Sequence, residues 1–265
     1  MSDLRCLAHE GNPAHFAPPR LPGGKRTEIE SMKSLRDLAV LHSVGNNPAT
    51  KLVVSDIYEL YEHYFAALRE RPIILLELGV ALGESLKAFG AYFKNGRIIG
   101  IDIQDSGIDF SSHPNVRFEI CDQRNAARLS EVCATHAPDG LDIIIDDASH
   151  YGTWSLMSYN ALFPFLKPGG FYIVEDWATG YWSDWPDGGE FKQFTPSDQG
   201  SLIEKRIPTH DFGMVGFIKY LVDEVASSGI VSSMNDPPTR PDRLEMMHVH
   251  KSIVVLRKAG DLQQL

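Results

Sequence analysis

Ile73-Ile74-Leu75-Leu76-Glu77-Leu78-Gly79-Val80-Ala81-Leu82-Gly83 joins a short apolar run to a turn carrying two glycines, and a helical pattern follows over residues 84–93. An apolar run of this length without alternation reads as a strand covered on both faces. Similar runs recur at residues 97–101, 116–120, 141–145 and 171–174, with helical candidates at 124–136 and 153–166 between them. Strands alternating with helices predict an α/β fold: a doubly wound, mostly parallel sheet with helices on both faces. Lys167-Pro168-Gly169-Gly170 reads as a turn leading into the fifth strand. A helix at about 212–227 is expected next, then closing strands at 244–249 and 252–258 joined by a very short turn.

Upstream of this core the signals are weaker. Residues 1–25 are rich in Pro, Gly and polar side chains and read as an arm, a lid or a disordered segment. Thr27 and Glu30 resemble a capping box opening a helix with Ile29, Met32, Leu35 and Leu38 on one stripe. A second helix over 56–70 places Ile57, Leu60, Tyr61, Tyr64, Phe65 and Leu68 at helical spacing. The chain therefore divides into an N-terminal arm and helix, 1–54, and one α/β domain, 55–265.

Composition narrows the function classes. The chain has 265 residues and is 43% hydrophobic, enough for one large core. Its net charge of −10, with scattered basic residues, argues against a nucleic-acid partner. Cys6, Cys121 and Cys133 lack metal-like spacing and read as reduced thiols. Neither a membrane span nor a signal-peptide core is visible, so a soluble, cytoplasmic protein is expected.

The strand ends carry the chemistry. Glycines at 79 and 83 let the backbone approach a ligand, and open α/β sheets bind ligands beyond the carboxyl ends of their strands. The dinucleotide fingerprint is absent; the chain offers Gly-x-x-x-Gly with a preceding Glu. Asp102 ends the second strand, where a carboxylate can accept both ribose hydroxyls, and Asp122-Gln123 ends the third, within reach of an adenine amino group. Together they point to an adenosine-type cofactor, although Glu77 and Asp102 would also serve as helix caps.

Two more strands finish in carboxylates: Ile143-Ile144-Ile145 runs into Asp146-Asp147, with His150 three residues on, and Phe171-Tyr172-Ile173-Val174 runs into Glu175-Asp176. If these strands are neighbours they lie about 5 Å apart, so their terminal side chains can share one divalent cation, with a base beside it. The alternative is that these acids only cap helices. On a strand Asp146 faces opposite to Asp147, which gives it a supporting role on the cofactor side.

Here the chain resembles the class I S-adenosylmethionine-dependent methyltransferases, over roughly residues 55–258. The resemblance implies a Rossmann-like sheet with an antiparallel closing strand. It implies that Glu77, Gly79, Gly83 and Ser85 face the amino-acid end of S-adenosylmethionine, Asp102 the ribose, and Asp122 and Gln123 the adenine. Within that family, Asp146-Asp147-Ala148-Ser149-His150 and Val174-Glu175-Asp176-Trp177-Ala178-Thr179-Gly180-Tyr181-Trp182 look like the Mg²⁺-dependent sugar O-methyltransferases of macrolide and glycosylated polyketide biosynthesis. By that resemblance Asp147, Glu175 and Asp176 bind Mg²⁺, Asp147 and His150 act in catalysis, and His150 is the general base. The chemistry is consistent, because Mg²⁺ takes carboxylate oxygens and can make a coordinated hydroxyl more acidic. Histidine ordinarily titrates near neutral pH and suits the proton acceptor.

Trp177, Tyr181, Trp182 and Trp185 follow the last acidic pair, and aromatic faces suit stacking on the sugar of a small-molecule glycoside. Packing of that loop on itself is the alternative. Tyr58, Tyr61 and Tyr64 read as a core stripe rather than a roof over the cofactor, and His248 and His250 as one inward and one outward side chain without a catalytic part. Asn235-Asp236-Pro237-Pro238 resembles a motif of amino-methylating nucleic-acid enzymes but lacks the following aromatic. The resemblance also implies a homo-oligomer. Some macrolide enzymes carry a large N-terminal auxiliary domain, to which this sequence offers no counterpart. Catechol-type and cephalosporin-methoxylation proteins share similar loops, and a non-catalytic cofactor-binding scaffold would have no need of the acids and histidine together.

Overall fold

A computed structural model of the chain describes residues 33–43, 56–105, 107–188, 211–227, 229 and 243–260. The Thr27–Glu30 capping signal, the arm before Lys25 and the Asn235-Asp236-Pro237-Pro238 motif lie outside these residues. Among the described residues no helix is long and apolar enough to cross a membrane.

Helices α1 (Leu35–His42) and α2 (Ile57–Phe65) precede the strand series β1 (Ile74–Leu78), β2 (Arg97–Asp102), β3 (Val116–Ile120), β4 (Leu141–Asp146) and β5 (Leu166–Glu175). Between them run α3 (Glu84–Tyr92), α4 (Ala126–His136) and α5 (Gly152–Leu162); α6 (Gly213–Val225), β6 (Leu244–Val249) and β7 (Ile253–Lys258) follow. The sheet order is β3-β2-β1-β4-β5-β7-β6. The first five strands are parallel, and β7 pairs antiparallel with both β5 and β6. This is the expected doubly wound architecture with an antiparallel closing strand. The order reverses between β1 and β4, where such sheets open a crevice at their carboxyl ends.

Strand alternation sorts the core into two layers. Leu76, Leu78, Ile144, Tyr172 and Val174 pack under α4, α5 and α6. Leu75, Ile143, Ile145 and Ile173 face α1, α2 and α3. Because side chains alternate, Glu77 and Glu175 project to the α1–α3 face at the strand ends, and Asp146 projects to the other.

Three local expectations are corrected. The stripe through Leu35 and Leu38 does not run on unbroken from Thr27: Ser34 is extended, and a capping box with Asp37 starts α1 at Leu35. Lys167-Pro168-Gly169-Gly170 is not a turn outside the strand. It lies within β5, where the pairing with β4 jumps from Leu141–Leu166 to Ile143–Phe171. The extra residues are absorbed as a bulge, which tolerates Pro and a Gly at φ +75°. Finally, His248 and His250 do not point to opposite sides: Nδ1 of His248 and Nε2 of His250 lie 2.9 and 2.8 Å from the Tyr64 hydroxyl. Residues two apart on a strand share a face, and that rule prevails here.

Candidate active site

The carboxyl ends of β1 and β4 meet through backbone. The Asp147 amide donates to the Leu78 carbonyl (2.9 Å), and the Gly79 amide to that of Ile101 (2.8 Å). Gly79 adopts φ +86°, and a Cβ there would stand 2.1 Å from the Asp147 carbonyl oxygen. Only glycine lets the first turn lie against the β4 end in this way. At Gly83 (φ +72°) a Cβ would meet Ile108 at 2.8 Å, so the second glycine admits that side chain.

A cavity of about 220 Å³ opens beside this junction, lined among others by Gly79, Asp102, Ile103, Asp122, Gln123 and Trp154. Four of the predicted cofactor residues thus share one space. Asp102 accepts from the amides of Val80 (2.9 Å) and Ala81 (3.1 Å), so it holds the glycine turn while also facing the cavity. Asp122 is paired with Arg124, which holds its carboxyl below the usual carboxylate range. The pair is solvent-accessible and contributes little to stability, so a ligand can compete for either partner. Gln123 differs: it is buried, its Oε1 accepts from the Ser149 amide (3.1 Å) and its Nε2 donates to Ser158 Oγ (3.4 Å). Leaving such buried groups unsatisfied costs about 1–3 kcal/mol each. Its amide therefore serves the loop after β4.

Glu77, Ser85 and Asp146 do not line the cavity. Ser85 Oγ donates to Glu77 Oε2 (2.8 Å), and both are buried. Asp146, expected on the cofactor side, is turned under α5, where it accepts from Ser158 Oγ (2.9 Å). Burial pushes its carboxyl above the ordinary range, and the neutral hydrogen bond only partly offsets this.

The metal-type residues converge in two adjoining groups that share Asp147. Carboxylate oxygens of Glu77, Asp147 and Glu175 lie within 4.8 Å of one another, as do ligand atoms of Asp147, His150 and Asp176. Nε2 of His150 is 4.0 Å from Asp147 and 3.9 Å from Asp176. Glu77 and Glu175 are 0% and 1% exposed, which makes this a buried carboxylate cluster with hard oxygen donors, a donor set that fits Mg²⁺. The three predicted ligands are divided between the groups, and Glu77, placed by the sequence with the cofactor, belongs to one of them.

Backbone strain gathers here. Among the described residues the non-glycine positions with positive φ are Ala81, His150 and Asp176, at +45°, +52° and +49°. Such conformations persist where surrounding contacts over-determine them. For Asp176 the holder is the β6–β7 turn: its amide donates to the Ser252 carbonyl (2.8 Å), and the Trp177 indole to that of His250 (2.9 Å). For His150 it is Trp185, whose indole donates to the His150 carbonyl (3.2 Å) with the rings 5.9 Å apart.

Of the predicted acceptor residues, Tyr181 and Trp182 are 37% and 52% exposed, while Trp177 is half-buried and edge-on to Tyr181. Three contributors escaped sequence reading. Trp154, stacked on Tyr151 and covered by Arg124, lines the cavity. Asp187 is buried and accepts from the amides of Gly152 and Met214, capping α5 and α6 together. The Tyr61 hydroxyl donates to Glu175. Each depends on tertiary placement; only the Asp187 carboxylate, a possible cap, left any local signal.

The reversed strand order, the glycine turn and the acid ending β2 together define the Rossmann-like methyltransferase fold. Known relatives sharpen that class. The chain is 29% identical over 268 residues to the 8-demethyl-8-α-L-rhamnosyl tetracenomycin-C 2'-O-methyltransferase of Streptomyces olivaceus, covering 96% of this chain and 63% of that protein. It is 30% identical over 207 residues to the mycinamicin VI 2''-O-methyltransferase of Micromonospora griseorubida, covering 75% of this chain and 47% of that one. With the L-olivosyl-oleandolide 3-O-methyltransferase of Streptomyces antibioticus it shares 33% identity over 211 residues, covering 69% of this chain and 51% of the relative. Among solved structures, the MycE methyltransferase of the mycinamycin biosynthetic pathway, in complex with Mg, SAH and mycinamycin VI, matches at TM-score 0.67 and 26% identity over 87% of this chain and 55% of its own. No protein-family model matches. The homologues are thus sugar O-methyltransferases of macrolide and polyketide pathways, and the chain spans between 47% and 63% of the length of these curated relatives.

Proposed function

We propose that this chain is an S-adenosylmethionine-dependent, Mg²⁺-dependent O-methyltransferase acting on a sugar hydroxyl of a glycosylated natural product of the macrolide or polyketide type. The observation that carries the reading is the position of Asp147. It belongs to both acidic groups, lies 4.0 Å from His150 Nε2, and touches the glycine turn of the cofactor cavity through its backbone. The names of the homologues, and the Mg and SAH bound in the MycE structure, support the same chemistry.

In this reading Gly79, Asp102 and Asp122 hold S-adenosylmethionine, and Asp147, Glu175 and Asp176 hold Mg²⁺. When bound, the cofactor supplies an electrophilic methyl group, and the cation supplies positive charge that makes a neighbouring hydroxyl more acidic. His150 Nε2 receives the hydroxyl proton; its carbonyl, fixed by Trp185, and the two flanking acids keep the ring at the sheet edge. Burial of Glu77 and Glu175 excludes water from the inner side of the site. Tyr181 and Trp182 offer exposed aromatic faces to a sugar ring. The family resemblance extends the proposal to a homo-oligomer, testable by sedimentation.

The experiment is mass spectrometry of products from a panel of rhamnosyl and deoxysugar natural products incubated with the protein, Mg²⁺ and methyl-labelled S-adenosylmethionine. The expected result is one labelled methyl group on the sugar. Label on the aglycone alone, or none on any glycoside, would overturn the reading.

A further inference from the structure

We propose that Tyr61 is a positioning residue for the cation site, fixing the orientation of the Glu175 carboxylate from helix α2 on the same face of the sheet. The inference rests on the reading of Glu175 as a metal ligand. Tyr61 is fully buried on α2, and its ring is clamped by others: Phe65 stacks on it at 5.1 Å, and Phe89 and Tyr58 meet it edge-on at 5.7 and 6.3 Å. A ring held on several sides delivers its hydroxyl to a fixed point, and that point is Oε1 of Glu175.

The arrangement answers an electrostatic difficulty. Glu77, Asp147 and Glu175 crowd their oxygens within 4.8 Å with almost no exposure at the two glutamates, and like charges at that range drive side chains apart. A lysine or arginine at position 61 would hold Glu175 but would cancel the charge that a cation needs. A phenol donates one hydrogen bond and leaves the carboxylate charge in place. Partners of this kind orient metal-binding carboxylates, and their loss typically weakens metal affinity or activity about 10–100-fold.

The same helix braces the other ligand-bearing segment. Tyr64, one turn along, contacts His250, whose carbonyl receives the indole of Trp177, the residue after Asp176. Both acids of the Glu175-Asp176 pair are therefore steadied from α2, one directly and one through the β6–β7 turn.

The test is calorimetric titration of Mg²⁺ into the wild type, Tyr61→Phe and Glu175→Gln, with S-adenosylhomocysteine binding measured alongside. Tyr61→Phe keeps the ring, so the expected result is Mg²⁺ binding weakened about 10–100-fold with unchanged S-adenosylhomocysteine affinity. Loss of Mg²⁺ binding in Glu175→Gln with wild-type binding in Tyr61→Phe would overturn this inference alone. Wild-type Mg²⁺ binding in Glu175→Gln would overturn the ligand assignment beneath it. Should Tyr61→Phe fail to fold, 3-fluorotyrosine at position 61 keeps the hydroxyl. Its fluorine resonance should then shift on Mg²⁺ addition, and an unmoved resonance would overturn the inference.

Discussion

Gly79 and Asp147 are locked together: the Gly79 α-carbon lies so near the Asp147 carbonyl that a methyl group in its Cβ position would stand 2.1 Å from the oxygen. The glycine turn after β1 and the acid after β4 therefore cannot move independently. Gly79→Ala should disturb both at once, adding left-handed strain at φ +86° to a clash with backbone that cannot swing aside. We expect a stability loss of about 1–3 kcal/mol and S-adenosylhomocysteine binding weakened at least about tenfold, read by thermal melting and calorimetry. Wild-type values in both would show that the junction relaxes freely.

His150, the proposed base, stands apart from the proposed cofactor cavity. Its side chain lies beside Asp147 and Asp176 and does not line the cavity beside Gly79. His150→Ala should leave S-adenosylhomocysteine affinity intact and lower turnover by about 10²–10⁴-fold, the usual contribution of a positioned general base. Equal turnover in variant and wild type would remove His150 from that role.

The Tyr64–His248–His250 cluster predicts a pH effect on stability. Burial, then the neighbouring charges of His248 and His63, pushes His250 below the ordinary histidine value of 6.5. A lowered folded-state pKa means that the unfolded chain binds the proton more tightly once pH falls below about 6.5, so stability declines in that direction. Above 6.5 the residue is neutral in both states and contributes no slope. Thermal melting from pH 8 to pH 5 should show a steeper loss below about 6.5 in the wild type than in His250→Gln. Parallel curves would exclude His250 as the source.

Much of this architecture is readable along the chain, because buried parallel strands write themselves as short apolar runs and the turns between them as Gly, Pro and acids. Strand alternation correctly separated Asp146 from Asp147. The same rule, applied to His248 and His250, would have put both on one face. Pro168 and Gly169 carry the local signature of a turn, and nothing nearby shows that β4 pairs on both sides of them. Ser34 opens α1 through a capping box with Asp37, a start that the stripe through Leu35 and Leu38 does not mark. The acids of the candidate site were visible as strand ends expected to share one cation, but the place of Glu77 among them was not visible. That Glu77 stands with Asp147 and Glu175 follows from the β1–β4–β5 adjacency. The Tyr61–Glu175 bond joins residues 114 positions apart, and Tyr61 in isolation is simply one more apolar position on a helix.

In the proposed function the acids at the ends of β4 and β5 work through a divalent cation. Initial rates of methyl transfer to a rhamnosyl glycoside, followed in chelator-buffered solution across a range of free Mg²⁺, test it most directly. The expected result is only a background rate in excess chelator, raised to saturation by Mg²⁺ in the wild type and not raised at any concentration in Asp147→Asn. A rate that is the same with and without chelator would contradict it.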